Sequence, residues 1–362
     1  MPKRLAYDRV LFYTTLGLVT FGLIMVFSAS ALMAAERYQS PYGFVARQAV
    51  GVLLGMGALL WLMRFDYRKL RDPVVVLVLL SLTTCLLGLV FFLDRSHNTH
   101  RWIRLGLLSL QPSELAKPTL ILFLASYLET RLRDLNEWKT LVPVLVVLAT
   151  MCVLVVGEPD LGTTVALVLI AAAMLFAAGL QWRWFGYGVL ASLPVLYMLV
   201  FHVAYRRERI LAFLHPWQHA RDAAFQIVQS LIALGSGGWT GVGLMNSRQK
   251  LFFLPEAHTD FIFAVVGEEF GWIGCTLVVL GFLVFLWRGL RIARRAPDGF
   301  ARLLAIGVTA MIVMQALINF SVVTSLVPNK GIPLPFISYG GSSLVFSLAA
   351  VGILLSVSQH AE

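Results

Sequence analysis

The sequence predicts an all-α, polytopic integral membrane protein with about ten transmembrane helices and one large extracytoplasmic loop between the seventh and eighth. Three observations predict it. Hydrophobic residues make up 59% of the 362 residues and charged residues only 13%, with a mean hydropathy of +0.80, whereas a soluble domain carries about 25% charged residues. Apolar runs of about 20 residues, the length that crosses a hydrocarbon core, recur from one end to the other. Basic residues gather in alternate short connections, as the positive-inside rule requires of a chain that crosses repeatedly. No polar stretch is long enough for an independent domain, so residues 1–362 read as a single membrane domain.

The first run, 10–34, follows Met1-Pro2-Lys3-Arg4 and exceeds the ~7–15 residues of a signal-peptide core, so it stays as the first span. Spans over 45–63 and 73–93 come next. The runs at 114–129 and 140–157 are shorter and contain charge or proline, which blurs their ends. Runs at 161–181, 185–204, 261–287, 301–327 and 339–358 complete the set. With the N-terminus inside, the inner segments hold Lys3, Arg4 and Arg9; Arg64, Arg68, Lys69 and Arg71; Arg131, Arg133 and Lys139; Arg183; and Arg288, Arg291, Arg294, Arg295 and Arg302. Both termini are then cytoplasmic, and the segment of about 205–260 lies outside.

That outer segment has its own organisation. Arg206, Arg207 and Arg209 leave the seventh span, and Ala223–Leu234 reads as an interfacial helix, with Phe225, Val228, Leu231 and Ile232 at helical spacing. It ends in Gly235-Ser236-Gly237-Gly238, and the glycines through Gly243 lack the following Lys-Ser/Thr of a nucleotide loop. The net charge of +10 is spread through short connections and does not form a basic helix with aromatics, which excludes a nucleic-acid partner. The three cysteines, Cys85, Cys152 and Cys275, sit in apolar runs without metal-site spacing and read as packing residues. No sequence repeat relates the two halves, which weighs against a transporter built of inverted repeats.

An ionisable side chain at the bilayer centre costs about 2.5–3.5 kcal/mol even on a lenient scale, so polar residues at membrane depth are functional candidates. Glu114 and Lys117 share a helix face at i, i+3 and can pair. Asp160 lies in the turn Glu158-Pro159-Asp160-Leu161-Gly162, Asp260 closes the long outer segment, and Glu268 and Glu269 follow about two turns into the eighth span. On this topology Arg101, Glu114, Lys117, Asp160, Arg206, Arg207, Asp260 and Lys330 all lie at or near the outer surface. Snorkelling and helix capping account for some of these, Arg206 and Arg207 first. Acid beside base at an outer interface suits an anionic amphiphile such as a lipid pyrophosphate, held by cations while a carboxylate serves as general base.

Several segments together resemble the SEDS family of cell-wall glycan polymerases over essentially the whole chain. They are Phe27-Ser28-Ala29-Ser30, Arg101-Trp102-Ile103, Gln111-Pro112-Ser113-Glu114-Leu115-Ala116-Lys117 and Pro159-Asp160-Leu161-Gly162-Thr163. The most specific follow: Leu254-Pro255-Glu256-Ala257-His258-Thr259-Asp260-Phe261-Ile262-Phe263-Ala264, Gly267-Glu268-Glu269, and Pro333-Leu334-Pro335-Phe336-Ile337-Ser338-Tyr339-Gly340-Gly341-Ser342-Ser343.

The resemblance implies a multi-pass bacterial cell-membrane enzyme that polymerises lipid II, with Asp260 as the catalytic carboxylate. Asp260 would deprotonate the acceptor's 4-hydroxyl, which attacks the anomeric carbon of the growing strand and expels undecaprenyl pyrophosphate with inversion. Arg101, Glu114, Lys117 and Asp160 would line the same cavity, and Arg206, Arg207, His258, Glu268, Lys330 and Ser342 are further candidates for substrate contact. It also implies a divalent cation, Mg²⁺ or Mn²⁺, for which no ligand motif is visible. The implied partners are lipid II, the undecaprenyl-pyrophosphate-linked glycan, a class B penicillin-binding protein, other divisome proteins and membrane lipids.

Asn329-Lys330-Gly331 and the stretch Phe252 to Glu269 read like the cell-division branch of the family. Glu158 stands where the family often has glutamine. The alternatives are the elongation-type polymerase, a lipid II flippase and a scaffold for the penicillin-binding partner. A flippase needs a polar route at mid-membrane, whereas a polymerase needs its ionisable groups at the outer face.

Overall fold

A computed structural model describes residues 6–361 apart from 94–100, 106–107, 202–203, 221, 223 and 252. Lys3, Arg4, Ala223 and Phe252, used in the sequence argument, lie outside the described residues. The helices run α1 (Arg9–Tyr38), α2 (Gly43–Arg64), α3 (Pro73–Leu93), α4 (Pro112–Glu129), α5 (Trp138–Gly157), α6 (Leu161–Ala178), α7 (Trp182–Phe201), α8 (Ala204–Leu214), α9 (Phe225–Ser236), α10 (Ile262–Arg294), α11 (Gly299–Val323) and α12 (Gly341–Ser358). A 3-10 turn, Tyr67–Arg71, joins α2 to α3, and a short antiparallel hairpin of β1 (Ile103–Leu105) and β2 (Leu108–Leu110) precedes α4.

Among the described residues, eight helices are long and apolar enough to cross a membrane: α1, α2, α3, α5, α6, α10, α11 and α12. The remaining two helices of comparable length are α4, with 18 residues, and α7, with 20. Charge explains why α4 stands apart, because Glu114, Lys117 and Glu129 all lie on it.

Helix starts are set by local chemistry. Asp8 accepts a hydrogen bond from the Leu11 amide (2.9 Å), Asp160 from Thr163 (3.1 Å) and Asp298 from Ala301 (2.7 Å), each satisfying an amide that the helix itself leaves unpaired. The core is centred on α11 and α12, the most enclosed of the spans. α11 packs against α4, α6 and α10, and α12 lies along α2. At one end of the bundle Arg288 grips Asp8 through Nε and one Nη, the Tyr67 hydroxyl donates to Asp298 (2.9 Å), and Arg71 pairs with Glu129 (2.9 Å).

Three features depart from a plain reading of apolar runs. First, α9 does not lie free on a bilayer surface. It buries Ile227, Val228, Ser230 and Ala233 against the bundle, and the Ser230 hydroxyl donates to the Val323 carbonyl (2.8 Å). Ile232, read as part of the lipid-facing stripe, stays exposed on the opposite side.

Second, the connection between α11 and α12 is a loop by hydrogen bonding but core by burial, since Ile332, Leu334, Phe336 and Ile337 are all enclosed. Irregular backbone is tolerated at such depth only where protein surrounds it. Here α1 supplies part of that wall: a Cβ on Gly22 would fall within 2.7 Å of the Ile337 Cα.

Third, α10 is broken at Gly271, whose φ of 63° lies outside the helical range. The glycine-rich stretch after α9 fills the break. The amides of Val242 and Gly243 donate to the carbonyls of Glu268 and Glu269 (both 3.0 Å), while the Trp272 and Ile273 amides donate to Gly238 and Trp239 (2.9 and 3.2 Å). Two backbones approach this closely only without side chains between them, and a Cβ on Gly271 would lie 2.6 Å from the Trp239 carbonyl oxygen. The glycines that end α9 at Ser236 therefore also form a splice into α10.

Candidate active site

Helix ends at one pole of the bundle enclose a cleft of about 380 Å³. Its walls come from the start of α4, the turn between α5 and α6, the residues before α10, the middle of α11 and the segment leading into α12. Arg101, Glu114, Lys117, Asp160 and Asp260, far apart in sequence, all face it.

Glu114 and Lys117 form a buried ion pair at 2.8 Å, as their i, i+3 spacing allows. The Lys117 ammonium donates a further hydrogen bond to the Gln315 side-chain oxygen (2.7 Å). Water has little access here, so each charge depends on the other to be tolerated.

Asp160 is the N-cap of α6, accepting also from the Thr163 hydroxyl (2.7 Å) and the Gln111 amide nitrogen (3.3 Å). Arg101 is aimed by backbone carbonyls. Its Nε donates to Glu158 (2.9 Å) and an Nη to Pro159 (2.5 Å), which fixes the guanidinium against the α5–α6 turn.

Asp260 is different in kind. Among the described residues its carboxylate accepts no hydrogen bond, and its backbone carbonyl is held by the Asn319 side chain (2.8 Å). The side chain is partly exposed at the cleft and closely covered by Gly331, where any Cβ would strike the carboxylate. Burial pushes its pKa up to about 7 from the usual 3.8, the negative charges of Glu256 and Asp160 adding to the effect and Arg101 and Arg209 opposing it. A carboxyl so placed accepts a proton near neutrality.

Glu158, two residues before Asp160 in the α5–α6 turn, is fully buried with neither oxygen partnered. Desolvation and the Asp160 charge push it up to about 8, against Arg101.

The other candidates lie outside the cleft lining. His258 packs between Phe44 and Tyr339 with ring centroids 4.7 and 5.6 Å away, and its burial lowers its pKa. Ser342 bridges to the β2 hairpin, its hydroxyl donating to the Ser109 carbonyl and accepting from the Gln111 amide (3.2 Å). Glu268 is bound to the turn at 247–249, where the amides of Arg248 and Gln249 reach its carboxylate at 2.9 and 3.3 Å. Arg206 and Arg207 lie in α8, with Arg207 exposed, and Lys330 is half-buried next to Gly331.

Several residues of the site had not been singled out. Gln315 and Asn319 form a polar stripe one turn apart on α11. Gln315 donates to the Pro333 carbonyl (2.9 Å) and Asn319 to Ile332 (2.8 Å), so two amides tie the buried connection to the wall that carries Asp260. An amide inside an apolar span carries the same signal as a charge and would have found both. Glu256 and Thr259 also line the cleft, the Thr259 hydroxyl donating to Glu256 (2.9 Å).

No three His, Cys, Asp or Glu side chains come together to hold a metal among the described residues. The carboxylates of Asp260 and Glu256 fit a hard divalent cation only if substrate oxygens complete its shell.

The family model FTSW_RODA_SPOVE, described as "Cell cycle protein", matches residues 8–362. A "Probable peptidoglycan glycosyltransferase FtsW" of Geobacter metallireducens is 44% identical over 354 residues, covering 97% of this chain and 94% of the relative. "Stage V sporulation protein E" of Bacillus subtilis is 41% identical over 362 residues, 99% of each chain. Among solved structures, a chain from work described as "Structural coordination of polymerization and crosslinking by a peptidoglycan synthase complex" is similar with a TM-score of 0.80 at 27% identity, covering 98% of both chains. The rod shape determining protein RodA of Thermus thermophilus is similar with a TM-score of 0.73 at 27% identity over 99% of both.

Proposed function

This chain belongs to the FtsW/RodA/SpoVE family of cell-cycle proteins, and we propose that its outer cleft is where lipid II is joined to a growing glycan strand. It is a multi-pass membrane protein and a peptidoglycan glycosyltransferase. We place the cleft on the extracytoplasmic side with both termini in the cytoplasm, because the connections carrying Arg64 to Arg71, Arg131 to Lys139 and Arg288 to Arg302 fall at the opposite pole. No nucleotide sugar is available there, so the donor arrives already activated on its lipid.

The observation that carries the reading is Asp260: a carboxylate that accepts no hydrogen bond among the described residues, with its pKa raised to about 7, in a cleft that also presents Arg101 and Lys117. In the proposed step Asp260 takes the proton of the acceptor's 4-hydroxyl. The freed oxygen attacks the anomeric carbon from the face opposite the pyrophosphate. The bond from that carbon to the phosphate oxygen breaks, its electron pair leaving with undecaprenyl pyrophosphate, and the anomeric centre inverts. Positioned proton transfer of this kind contributes about 10²–10⁴ in rate, and the fixed guanidinium of Arg101 offsets charge developing on the leaving group. A bound Mg²⁺ or Mn²⁺ would add charge neutralisation at the pyrophosphate, with Asp260 or Glu256 as the carboxylates within reach.

We assign the chain to septal synthesis with a transpeptidase partner. The support is its likeness to relatives named FtsW and to a chain of a peptidoglycan synthase complex. The test is a gel assay of glycan chains made from labelled lipid II, with and without the partner. Asp260→Ala is expected to abolish polymer while leaving a monodisperse protein that still binds its partner. Polymer made by that variant at the normal rate would overturn the assignment. Lipid translocation without polymer from the wild type would point to a flippase, and neither activity to a scaffold.

A further inference from the structure

Away from the cleft, a second group of charges is buried where α1, the broken α10 and the turn at 247–250 meet. Lys250 and Glu269 form an ion pair at 2.8 Å, with side-chain exposures of only 7% and 0%. Ser28 of α1 completes it, lying 2.6 and 2.7 Å from the two Glu269 oxygens and accepting from the Lys250 ammonium at 3.1 Å. Glu268 takes the other side of the same turn, accepting from the Ser247 hydroxyl and from the amides of Arg248 and Gln249.

These contacts all serve one segment. The carbonyls of Glu268 and Glu269 receive Val242 and Gly243, and their carboxylates receive 247–250, so both groups of both residues are spent on holding the chain that runs toward Asp260. From Lys250 that chain continues through Leu254, whose amide donates back to Gln249 (2.8 Å) and whose side chain is buried. At its far end the hydrogen bonds from the rest of the bundle fall on backbone: Tyr339 donates to the His258 carbonyl (2.9 Å), Ser338 to Thr259 (2.5 Å) and Asn319 to Asp260 (2.8 Å). None of them grips the Asp260 side chain, whose direction therefore depends on where the whole segment sits.

We propose that Lys250 and Glu269, with Ser28 and Glu268, are positioning residues that set the Asp260 carboxylate for proton transfer by anchoring the near end of the segment that carries it. A merely structural ion pair would stabilise the bundle without bearing on the base. Here the pair ties a catalytic segment, ten residues ahead of its carboxylate, to two spans at once. The inference rests on the polymerase reading above, and its test keeps the two apart.

The experiment is steady-state glycan polymerisation from lipid II by the full-length protein with its partner, comparing wild type, Lys250→Met, Glu269→Gln, the double variant and Lys250→Arg. Hydrogen exchange over 247–261 is followed in parallel. The latch predicts that each neutral single variant loses at least about tenfold in kcat with KM changed by less than about threefold. It also predicts that the double variant is no worse than the worse single one, that Lys250→Arg recovers most of the rate, and that exchange over 247–261 speeds up in the impaired variants alone. Wild-type kcat in both single variants would overturn it. So would a loss of rate fully matched by loss of monodisperse protein, or a KM that rises in step with the fall in kcat. A wild type that makes no polymer would instead sink the polymerase reading itself.

Discussion

In the step proposed for it, Asp260 can act as a base only when ionised, and its surroundings push its pKa up to about 7. The rate of glycan polymerisation should therefore fall with acidification through that value. At pH 8 about nine-tenths of the side chain is ionised and at pH 6 just under one-tenth, so kcat should drop about tenfold between them, then tenfold for each further unit. An aspartate at the ordinary 3.8 would give a flat profile over the same range. The perturbation that isolates the cause is Glu256→Gln. Glutamine keeps an oxygen for the Thr259 hydroxyl, now 2.9 Å from Glu256, but removes the negative charge that ranks after burial in raising Asp260. The acid limb should move to lower pH without reaching the ordinary range, because burial, the larger cause, remains. The assay is initial polymerisation rate from lipid II between pH 5 and 8.5, with saturating substrate checked at each pH. A limb that stays in place in the variant, or a wild-type profile without a limb, would refute the reasoning.

Two further outcomes follow from the geometry of the cleft. Lys117→Met leaves Glu114 buried without its cation and should destabilise the protein by about 3–5 kcal/mol in a detergent unfolding measurement, whereas adding Glu114→Gln should recover most of that loss, since removing both charges removes the unpaired one. Gly331→Ala places a methyl group against the Asp260 carboxylate and should lower kcat by about 10²-fold through misplacement of the base, with the thermal midpoint little changed because the carboxylate can swing aside.

Much of this was legible in the sequence because the bilayer leaves a chain few options. A span must be about 20 apolar residues and internally hydrogen-bonded, so α3 fell where its apolar run did, at Pro73–Leu93. The Glu114–Lys117 pair was readable from i, i+3 spacing alone, since both partners lie on one helix. What depends on partners distant in sequence was not. Glu268 had the right character, an acid in an apolar span, but the pattern does not say whether such a group meets a substrate or another part of the chain. It meets the turn at 247–249. Pro333-Leu334-Pro335 falls between two predicted spans, and nothing in its prolines says how deep it lies; Gln315 and Asn319 of α11 draw the connection into the core by donating to the carbonyls of Pro333 and Ile332. The break in α10 was hidden because Gly271 is one glycine among several in that helix, and only the opposing glycines of 237–243 reveal its purpose.

The interruption in α10 has a mechanical consequence. A continuous rod holds both its ends to one axis, but a rod cut near one end and splinted from outside does not. The long portion of α10 beyond Gly271 is bolted to the start of the first helix through Arg288 and Asp8, and the short portion before it is lashed to the glycine-rich splint and the Lys250 turn. The short portion beside Asp260 therefore takes its position from the splint, the Lys250 turn and Ser28 rather than from the helical ladder behind it.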